Sequence, residues 1–187
     1  MEKLAIFMAD GCEEIEGLTV VDILRRADIP VDMVSIQPET TVRGSHGIVF
    51  QADTTAERAD WSAYTGVILP GGMPGTNHLK ESGIVRRTVQ ACDRDGKLVA
   101  AICAAPTALG AFGVLEGKRA VCYPGLEGSL TGAKAETKPV VVDGHTITSR
   151  GMGTAIPFAL AIVAYFQGQD RADALAESIV FHPAEML

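Results

Sequence analysis

The chain has 187 residues, of which 47% are hydrophobic and 21% are charged. This composition is typical of a globular protein with a sizeable core, so we expect a single domain over residues 1–187. The net charge of −7 and the lack of a basic run argue against nucleic-acid binding. With neither a signal-type leader nor an apolar span of membrane length, the sequence predicts a cytoplasmic protein with no membrane partner.

Strand and helix patterns alternate along the first half of the chain. Short apolar runs predict strands at residues 3–8, 30–36 and 66–72, because strands that are buried on both faces read as continuous hydrophobic segments. Helical spacing of apolar residues, with acidic residues in the opening turn, predicts a helix over residues 13–27. The stretch 41–51, which two glycines interrupt, predicts a hairpin or an extended excursion.

The alternation continues through the second half. The sequence predicts, in order, a helix at 84–94, a strand at 97–102 that runs into a further helix, a short strand at 120–123, two strands within 140–148 about an Asp143-Gly144 turn, and helices at 154–166 and 171–179. Strands that alternate with helices predict an α/β fold with a mostly parallel sheet, helices on both faces, and a doubly wound, flavodoxin-like strand order.

One of the four scattered cysteines stands out. Cys103 follows the predicted strand 97–102 directly and precedes a small-residue helix, in the pattern Ala-Ile-Cys-Ala-Ala. A strand that turns straight into a helix presents the turn residue above the sheet edge, as in the nucleophile elbow of hydrolases. We expect the helix N-terminus to favour the thiolate. The alternative is an inert buried thiol, since free cysteine is among the most buried residue types.

Three loops should meet at the carboxyl edge of the sheet, where the sites of such proteins lie. They are residues 10–16, 70–76 and 103–105. The backbone N–H groups of the Pro70-Gly71-Gly72 turn, together with that of Ala104, are candidates for an oxyanion hole.

Glu16 lies one turn into its predicted helix, where its carboxyl group could reach toward Cys103. Burial there would raise its pKa and would leave a proton to donate to the sulfur. The alternative is an ordinary carboxylate at a helix N-terminus.

Four ordered segments carry a family resemblance. They are Gly11-Cys-Glu-Glu-Ile-Glu16, Leu69-Pro-Gly-Gly72, Ala100-Ala-Ile-Cys-Ala-Ala-Pro-Thr107 and Thr148-Ser-Arg-Gly-Met-Gly-Thr154. In this order and spacing the chain resembles the DJ-one/PfpI (ThiJ/PfpI) superfamily, and most closely its parkinsonism-associated protein deglycase branch. The resemblance covers essentially the whole chain. It implies a flavodoxin-like homodimer with Cys103 as the reactive cysteine, Glu16 as its carboxyl partner, and Gly71, Gly72 and Ala104 around an oxyanion.

The resemblance also implies a small anion pocket near the dimer interface, bordered by Arg26, His46 and Ser149. Members of the superfamily are described as cofactor-independent glyoxalases or deglycases, which act on α-oxoaldehydes and their early glycation adducts. Others are described as oxidation-sensing chaperones in which the cysteine forms a stabilised sulfinate. We therefore expect a small aldehyde or a glycated adduct as the partner of Cys103, and neither a cofactor nor a metal.

Two positions depart from the family pattern. Tyr123-Pro124 stands where many relatives have a histidine followed by proline, and tyrosine is a poor base at neutral pH. His46 stands where the human-like branch has an arginine, and the charge of histidine depends on pH. These departures also leave open a third interpretation, a relative of the same fold without chemistry.

Two other cysteine chemistries are disfavoured. The segment His182-Pro-Ala-Glu185 resembles the His-Pro-Glu of class I glutamine amidotransferases, but its His and Glu are three residues apart instead of two, so they project differently from an extended chain. The peptidases of the PfpI branch look to have a histidine directly after the cysteine, where this chain has Ala104.

Overall fold

A seven-stranded sheet forms the centre of the computed structural model, which describes residues 3–182. The strands of the chain are β1 (Leu4–Met8), β2 (Val31–Ser35), β3 (Thr41–Arg43), β4 (Val49–Gln51), β5 (Thr54–Thr55), β6 (Gly66–Leu69), β7 (Leu98–Ile102), β8 (Arg119–Ala120), β9 (Lys134–Ala135), β10 (Val140–Asp143) and β11 (Thr146–Ser149). The α-helices are α1 (Glu14–Arg26), α2 (Gly75–Glu81), α3 (Gly83–Arg94), α4 (Pro106–Ala111), α5 (Ala155–Gln167) and α6 (Gln169–Ser178). None of the described helices is long and apolar enough to cross a membrane.

The strand order of the large sheet is β10-β11-β7-β6-β1-β2-β5. All neighbours pair in parallel except β10, which runs antiparallel to β11 at one edge. The series β2-β1-β6-β7-β11 is the flavodoxin-like order. The predicted fold class is therefore confirmed.

Both faces of the sheet are covered by helices. Leu4, Ile6 and Met8 of β1 belong to one core, which includes residues of α1, α5 and α6. The alternate residues Ala5 and Phe7 belong to the other core, which includes residues of α3 and α4. Because successive side chains of a strand point to opposite faces, a strand between two helical layers needs apolar residues at every position. This is why the central strands are visible in the sequence as uninterrupted apolar runs.

The segment that follows β8 corrects one prediction. A strand was expected at 120–123, but regular pairing ends at Ala120, which lies opposite Ala135 of β9. Beyond it, the N–H of Val121 donates to the hydroxyl of Thr148, and the N–H of Tyr123 donates to the carbonyl oxygen of Cys103. The chain is thus held extended by a side chain and by the elbow turn instead of by a neighbouring strand.

Three elements carry no clear sequence signal: α2, β5 and the two-residue strand β9, which pairs with β8. Helix α2 has one large buried apolar residue, Leu79, and so shows no amphipathic period. Strand β5 has two residues and extends the sheet beyond β2. The predicted hairpin within residues 41–51 is confirmed as β3 and β4.

Candidate active site

Cys103 sits on a strained turn between β7 and α4. Its φ is +64°, in the left-handed region that side chains with a Cβ rarely adopt. The backbone around it is fixed on both sides, because its N–H donates to the carbonyl of Ser149 at 3.0 Å and its carbonyl accepts from the N–H of Tyr123 at 2.7 Å. The nucleophile-elbow geometry expected from the sequence is therefore present.

The exposure of Cys103 sets it apart from the other cysteines. Its side chain is partly accessible, whereas Cys12, Cys92 and Cys122 are buried. A small electrophile can therefore approach the Cys103 sulfur from solvent.

Glu16 projects from the first turn of α1 and is 1% exposed. Its Oε2 accepts a hydrogen bond of 2.9 Å from the N–H of Gly71, and its carboxyl group is hydrogen-bonded to the thiol of Cys103. Burial raises the pKa of Glu16 to about 7, although these hydrogen bonds act in the opposite direction. Glu16 therefore exchanges its proton in the neutral pH range, as the sequence predicted for a buried carboxyl group.

Gly71 lies between the two reactive groups. A Cβ atom at this position would be 2.6 Å from Cys103 Cβ and 2.6 Å from Glu16 Oε2, closer than nonbonded atoms approach. Only glycine allows the carboxyl group and the elbow to meet here. Since the N–H of Gly71 is already engaged by Glu16, this glycine holds the acid in place instead of facing a substrate.

The protonation of Cys103 differs from the expectation. Burial, and after it the nearby Glu16 carboxylate, raise the pKa of the thiol above its ordinary value. Hydrogen bonds from the N–H groups of Ala104 and Gly72 act in the opposite direction but do not outweigh them. Helix α4 has only six residues, and the closest full charge is negative. The N–H of Ala104, just before α4, favours the thiolate as expected, but burial and the Glu16 carboxylate outweigh it, so the thiol pKa is raised overall.

The loops from β1 and β6 are tied to each other as well as to the elbow. The N–H of Glu13 donates to the carbonyl of Gly71 at 2.9 Å, and the N–H of Gly75 donates to that of Gly11 at 3.0 Å. Gly72, with φ of +87°, packs so tightly that a Cβ atom would collide with the backbone nitrogen of Glu13. The three loops predicted to meet at this edge of the sheet do converge.

His46 links the β3–β4 hairpin to α1 by hydrogen bonds. Its N–H donates to Glu14 Oε1 at 2.8 Å, and its Nδ1 lies 3.2 Å from Glu14 Oε2 and 3.5 Å from Glu13 Oε2. Burial acts to raise the pKa of Glu14, but hydrogen bonds from its own N–H and from His46 and Ile48 hold that pKa below its ordinary value. The side chain expected to border an anion pocket thus faces two carboxylates.

The group of Glu13, Glu14 and His46 could in principle hold a cation, since their ligand atoms lie within 4.8 Å of one another. However, both oxygens of Glu14 already accept hydrogen bonds, from the backbone N–H groups of His46 and Ile48 at Oε1 and from the side chains of Ser45 and His46 at Oε2. The cluster therefore serves to fix the hairpin against α1.

Ser149 stabilises the turn that carries Cys103. It is fully buried, and its hydroxyl group bonds to the carbonyl of Pro139 at 2.8 Å and to Thr154 Oγ1 at 2.7 Å. Its backbone carbonyl holds the N–H of Cys103. Among the described contacts, Ser149 therefore reaches the site through its backbone, while its side chain secures the turn after β11.

Arg26 is not brought together with Cys103. It is the last residue of α1, ten positions after Glu16, which corresponds to about 15 Å along a helix. Its guanidinium group is paired with Asp22 on the same helix and is largely exposed. In the single chain, the pocket of Arg26, His46 and Ser149 implied by the resemblance is thus not assembled.

Tyr123 borders the site. The residue is 53% exposed, and its ring lies beside Gly151, where a Cβ atom would be 3.6 Å from Tyr123 Cδ2. Of the segment His182-Pro-Ala-Glu185, only His182 falls within the described residues.

Sequence reasoning did not find three supporting contacts. They are the hydrogen bonds from the N–H of Gly71 to Glu16, from the N–H of Val121 to the Thr148 hydroxyl, and from the N–H of His46 in the hairpin to Glu14. Each joins residues at least 27 positions apart, so no local pattern could have indicated them.

The fold and the site together define a flavodoxin-like α/β protein with a cysteine nucleophile elbow and a buried carboxyl partner. Residues 2–165 match the model of the DJ-1/PfpI family (DJ-one/PfpI). The chain belongs to this family, as the four sequence segments indicated.

Known relatives agree with this assignment. Protein DJ-1 homolog B of Arabidopsis thaliana is 37% identical over 97% of this chain, which spans only 42% of that relative. The glutathione-independent glyoxalase DJR-1.2 of Caenorhabditis elegans is 30% identical, with 94% of each protein covered. A DJ-1 superfamily protein of Salmonella typhimurium, solved as a cysteine-to-alanine mutant, superposes with a TM-score of 0.93 at 34% identity and covers 97% of this chain and 100% of its own.

Proposed function

We propose that the protein is a cofactor-independent cysteine enzyme that converts α-oxoaldehydes such as methylglyoxal and glyoxal, or their early glycation adducts, to hydroxy acids. The observation that carries this proposal is the pair formed by Cys103 and Glu16 across Gly71. It places a nucleophile and a group that exchanges protons near neutral pH in direct contact. The glyoxalase named among the relatives supports the same chemistry.

In the first step, the sulfur of Cys103 adds to the aldehyde carbon. The S–H proton passes to the Glu16 carboxylate, a carbon–sulfur bond forms, and the electron pair of the C=O bond moves to oxygen. The N–H groups of Gly72 and Ala104, which already point at the sulfur, are placed to stabilise this oxyanion. Glu16 then gives this proton to the oxyanion, which yields the hemithioacetal and restores the carboxylate.

In the second step, Glu16 moves a proton between the two substrate carbons. Its carboxylate removes the hydrogen of the former aldehyde carbon, which gives an enediolate with the negative charge on the neighbouring oxygen. Glu16 returns the same proton to the neighbouring carbon, and the hydroxyl proton of the first carbon moves to the charged oxygen. The first carbon is thereby oxidised to a thioester and the second is reduced to an alcohol, so no external oxidant is needed. Water then cleaves the thioester to release the hydroxy acid and the thiol. A base with a pKa of about 7 suits both directions of transfer.

The test is stereospecific formation of lactate from methylglyoxal. We expect Cys103→Ala to abolish turnover and Glu16→Gln to lower it strongly while the fold is retained. Cys92→Ala, which changes a buried cysteine on α3, is the matched control and should turn over like the wild type. Full turnover by Cys103→Ala would exclude the proposal.

A second candidate function is oxidation sensing by the same cysteine. It is favoured because Cys103 is partly accessible, whereas the other three cysteines are buried. Peroxide would oxidise the thiol first to the sulfenic acid and then to the sulfinate, and the Gly72 N–H and the protonated Glu16 would hold the new oxygens. Intact-mass measurement after mild peroxide treatment should show a stable gain of two oxygens at Cys103. Uniform oxidation of all four cysteines would argue against this role.

We also propose a homodimer. The resemblance implies one, and the large apolar side chains of Ile15, Ile48 and Val49 are about half exposed at the head of α1 and on the β3–β4 hairpin. Light scattering after size exclusion tests this assembly, and a monomer at micromolar concentration would exclude it.

A further inference from the structure

Three large, exposed apolar side chains lie on separate segments of the chain that each run next to the Cys103 turn. Met73, Tyr123 and Met152 are 56%, 53% and 51% exposed, respectively. Single exposed apolar residues are common on protein surfaces, whereas several on neighbouring segments can form a patch of the kind that marks a binding site. We call these three residues the rim.

Each rim residue is held next to the elbow by a contact of its own segment. Met73 follows Gly72, whose N–H is bonded to the Cys103 sulfur. Tyr123 donates its N–H to the carbonyl of Cys103 at 2.7 Å.

Met152 follows Gly151, the residue that lies against the Tyr123 ring. Its segment leaves β11 at Ser149, whose carbonyl binds the N–H of Cys103. The segments that carry the three side chains are therefore anchored to the elbow by the same hydrogen bonds that form the site.

The charge at the site, like the apolar rim, favours neutral substrates. The carboxyl group of Glu16 is hydrogen-bonded to the Cys103 thiol, and the negative charge of Glu13 raises the pKa of Glu16. A substrate that carries its own carboxylate or phosphate would be repelled by these groups. A neutral substrate with an apolar substituent would instead cover exposed methionine and tyrosine surface.

We propose that the rim selects α-oxoaldehydes whose second carbon carries an aryl or a branched alkyl group, over glyoxal and methylglyoxal. The reacting dicarbonyl group reaches past the rim to Cys103, while the substituent stays between Met73, Tyr123 and Met152. A hydrogen atom or a methyl group is too small to contact all three side chains. This inference rests on the proposed function, because it names the substrate class of that site.

The first test compares kcat/KM for phenylglyoxal and for methylglyoxal. We expect the wild type to favour phenylglyoxal by about tenfold, as one apolar group in a pocket typically gives. Tyr123→Ser and Met152→Gln should each reduce this preference several-fold, since they keep the backbone contacts but remove apolar surface. Tyr165→Ser, which changes an exposed tyrosine on α5, is the control and should leave the preference unchanged.

Tyr123→Phe separates the ring from the hydroxyl group. If the ring acts by apolar contact, the phenylglyoxal preference survives in this variant. If Tyr123→Phe slows both substrates equally and Tyr123→Ser does no more, the residue acts in the chemistry instead, and its part in the rim is excluded.

A second readout does not depend on turnover. Phenacyl bromide and bromoacetone both alkylate the thiol, forming a carbon–sulfur bond with release of bromide and a proton. We expect the phenacyl-to-acetonyl rate ratio at Cys103 to exceed the ratio for glutathione by about tenfold, and to fall toward it in Tyr123→Ser and Met152→Gln. A wild-type ratio equal to that of glutathione overturns the rim proposal. No hydroxy acid from any oxoaldehyde, with the labelling ratio retained, overturns the proposed function alone.

Discussion

The backbone N–H of Gly71 donates a hydrogen bond of 2.9 Å to Oε2 of Glu16, a residue 55 positions earlier in the chain. This bond turns the carboxyl group toward Cys103, and the absence of a Cβ atom at Gly71 leaves room for the two side chains to meet. The acid and the nucleophile are thus positioned by a residue that contributes only backbone.

Gly71→Ala tests this relationship. The added methyl group would collide with both Glu16 and Cys103, so we expect a loss of about 1–3 kcal/mol in unfolding free energy and a turnover close to that of Glu16→Gln. The control is Gly153→Ala, since a Cβ atom at Gly153 meets nothing within 4 Å. Urea denaturation and the lactate assay measure the two effects. Wild-type turnover in Gly71→Ala would show that the carboxyl group and the thiol need not be in contact.

The raised pKa of Glu16 predicts that the free energy of unfolding decreases as the pH rises. Because the pKa rises from 4.5 to about 7 on folding, the folded protein binds this proton more tightly than the unfolded chain. The stabilisation is complete below pH 4.5 and is lost as pH rises to 7, a change of about 3 kcal/mol.

Glu16→Gln cannot ionise and retains an oxygen for the N–H of Gly71. Its unfolding free energy relative to the wild type should therefore increase between pH 4.5 and pH 7, as measured by urea denaturation at each pH. A pH-independent difference would mean that Glu16 titrates normally in the folded protein.

The alkylation rate of Cys103 reports on the second member of the pair. Since burial and the Glu16 carboxylate raise the thiol pKa, iodoacetamide should react more slowly with Cys103 than with glutathione at pH 8. Glu16→Gln should speed the reaction several-fold because it removes the adjacent negative charge. Glu57→Gln is the control, since Glu57 follows β5, four strands or about 19 Å from β7. Equal rates in the wild type and Glu16→Gln would argue that the carboxylate does not act on the thiol.

The left-handed backbone of Cys103 predicts an unusual order of stabilities. At φ of +64°, a side chain with a Cβ atom costs about 1 kcal/mol more than glycine. Cys103→Gly should therefore be more stable than Cys103→Ala by about that amount, the reverse of the order found in ordinary helices and strands. Thermal unfolding of the two variants gives the comparison. If alanine is the more stable substitution, the elbow is not strained.

Features indicated by a short, continuous stretch of sequence were predicted well. The central strands are visible because both of their faces are buried, and the elbow is visible because a strand, a cysteine and a small-residue helix follow one another directly. Glu16 was identified as a candidate because the first turn of α1 follows β1 at the same edge of the sheet as Cys103. The strand order was predicted from the alternation of strands and helices, which is typical of doubly wound sheets.

Interactions between distant segments were not predictable in this way. The thiolate was expected from the helix that follows Cys103, but the negative charge of Glu16 and the burial of the sulfur depend on tertiary packing. A strand at 120–123 was expected from its apolar residues, yet Thr148 and Cys103 provide its hydrogen-bond partners. Arg26 was implied by the family resemblance alone, and the length of α1 places it away from the elbow in the single chain.

The pairing of β6 between β1 and β7 has a consequence for folding. Glu16, Gly71 and Cys103 follow these three strands, so they meet only after segments spread over about half of the chain have paired in the correct register. Contacts of such sequence separation form late and slowly. During synthesis, Cys103 is therefore an ordinary, solvent-exposed thiol until β1, β6 and β7 pair. Only then does it contact Glu16 and the backbone N–H groups of the site.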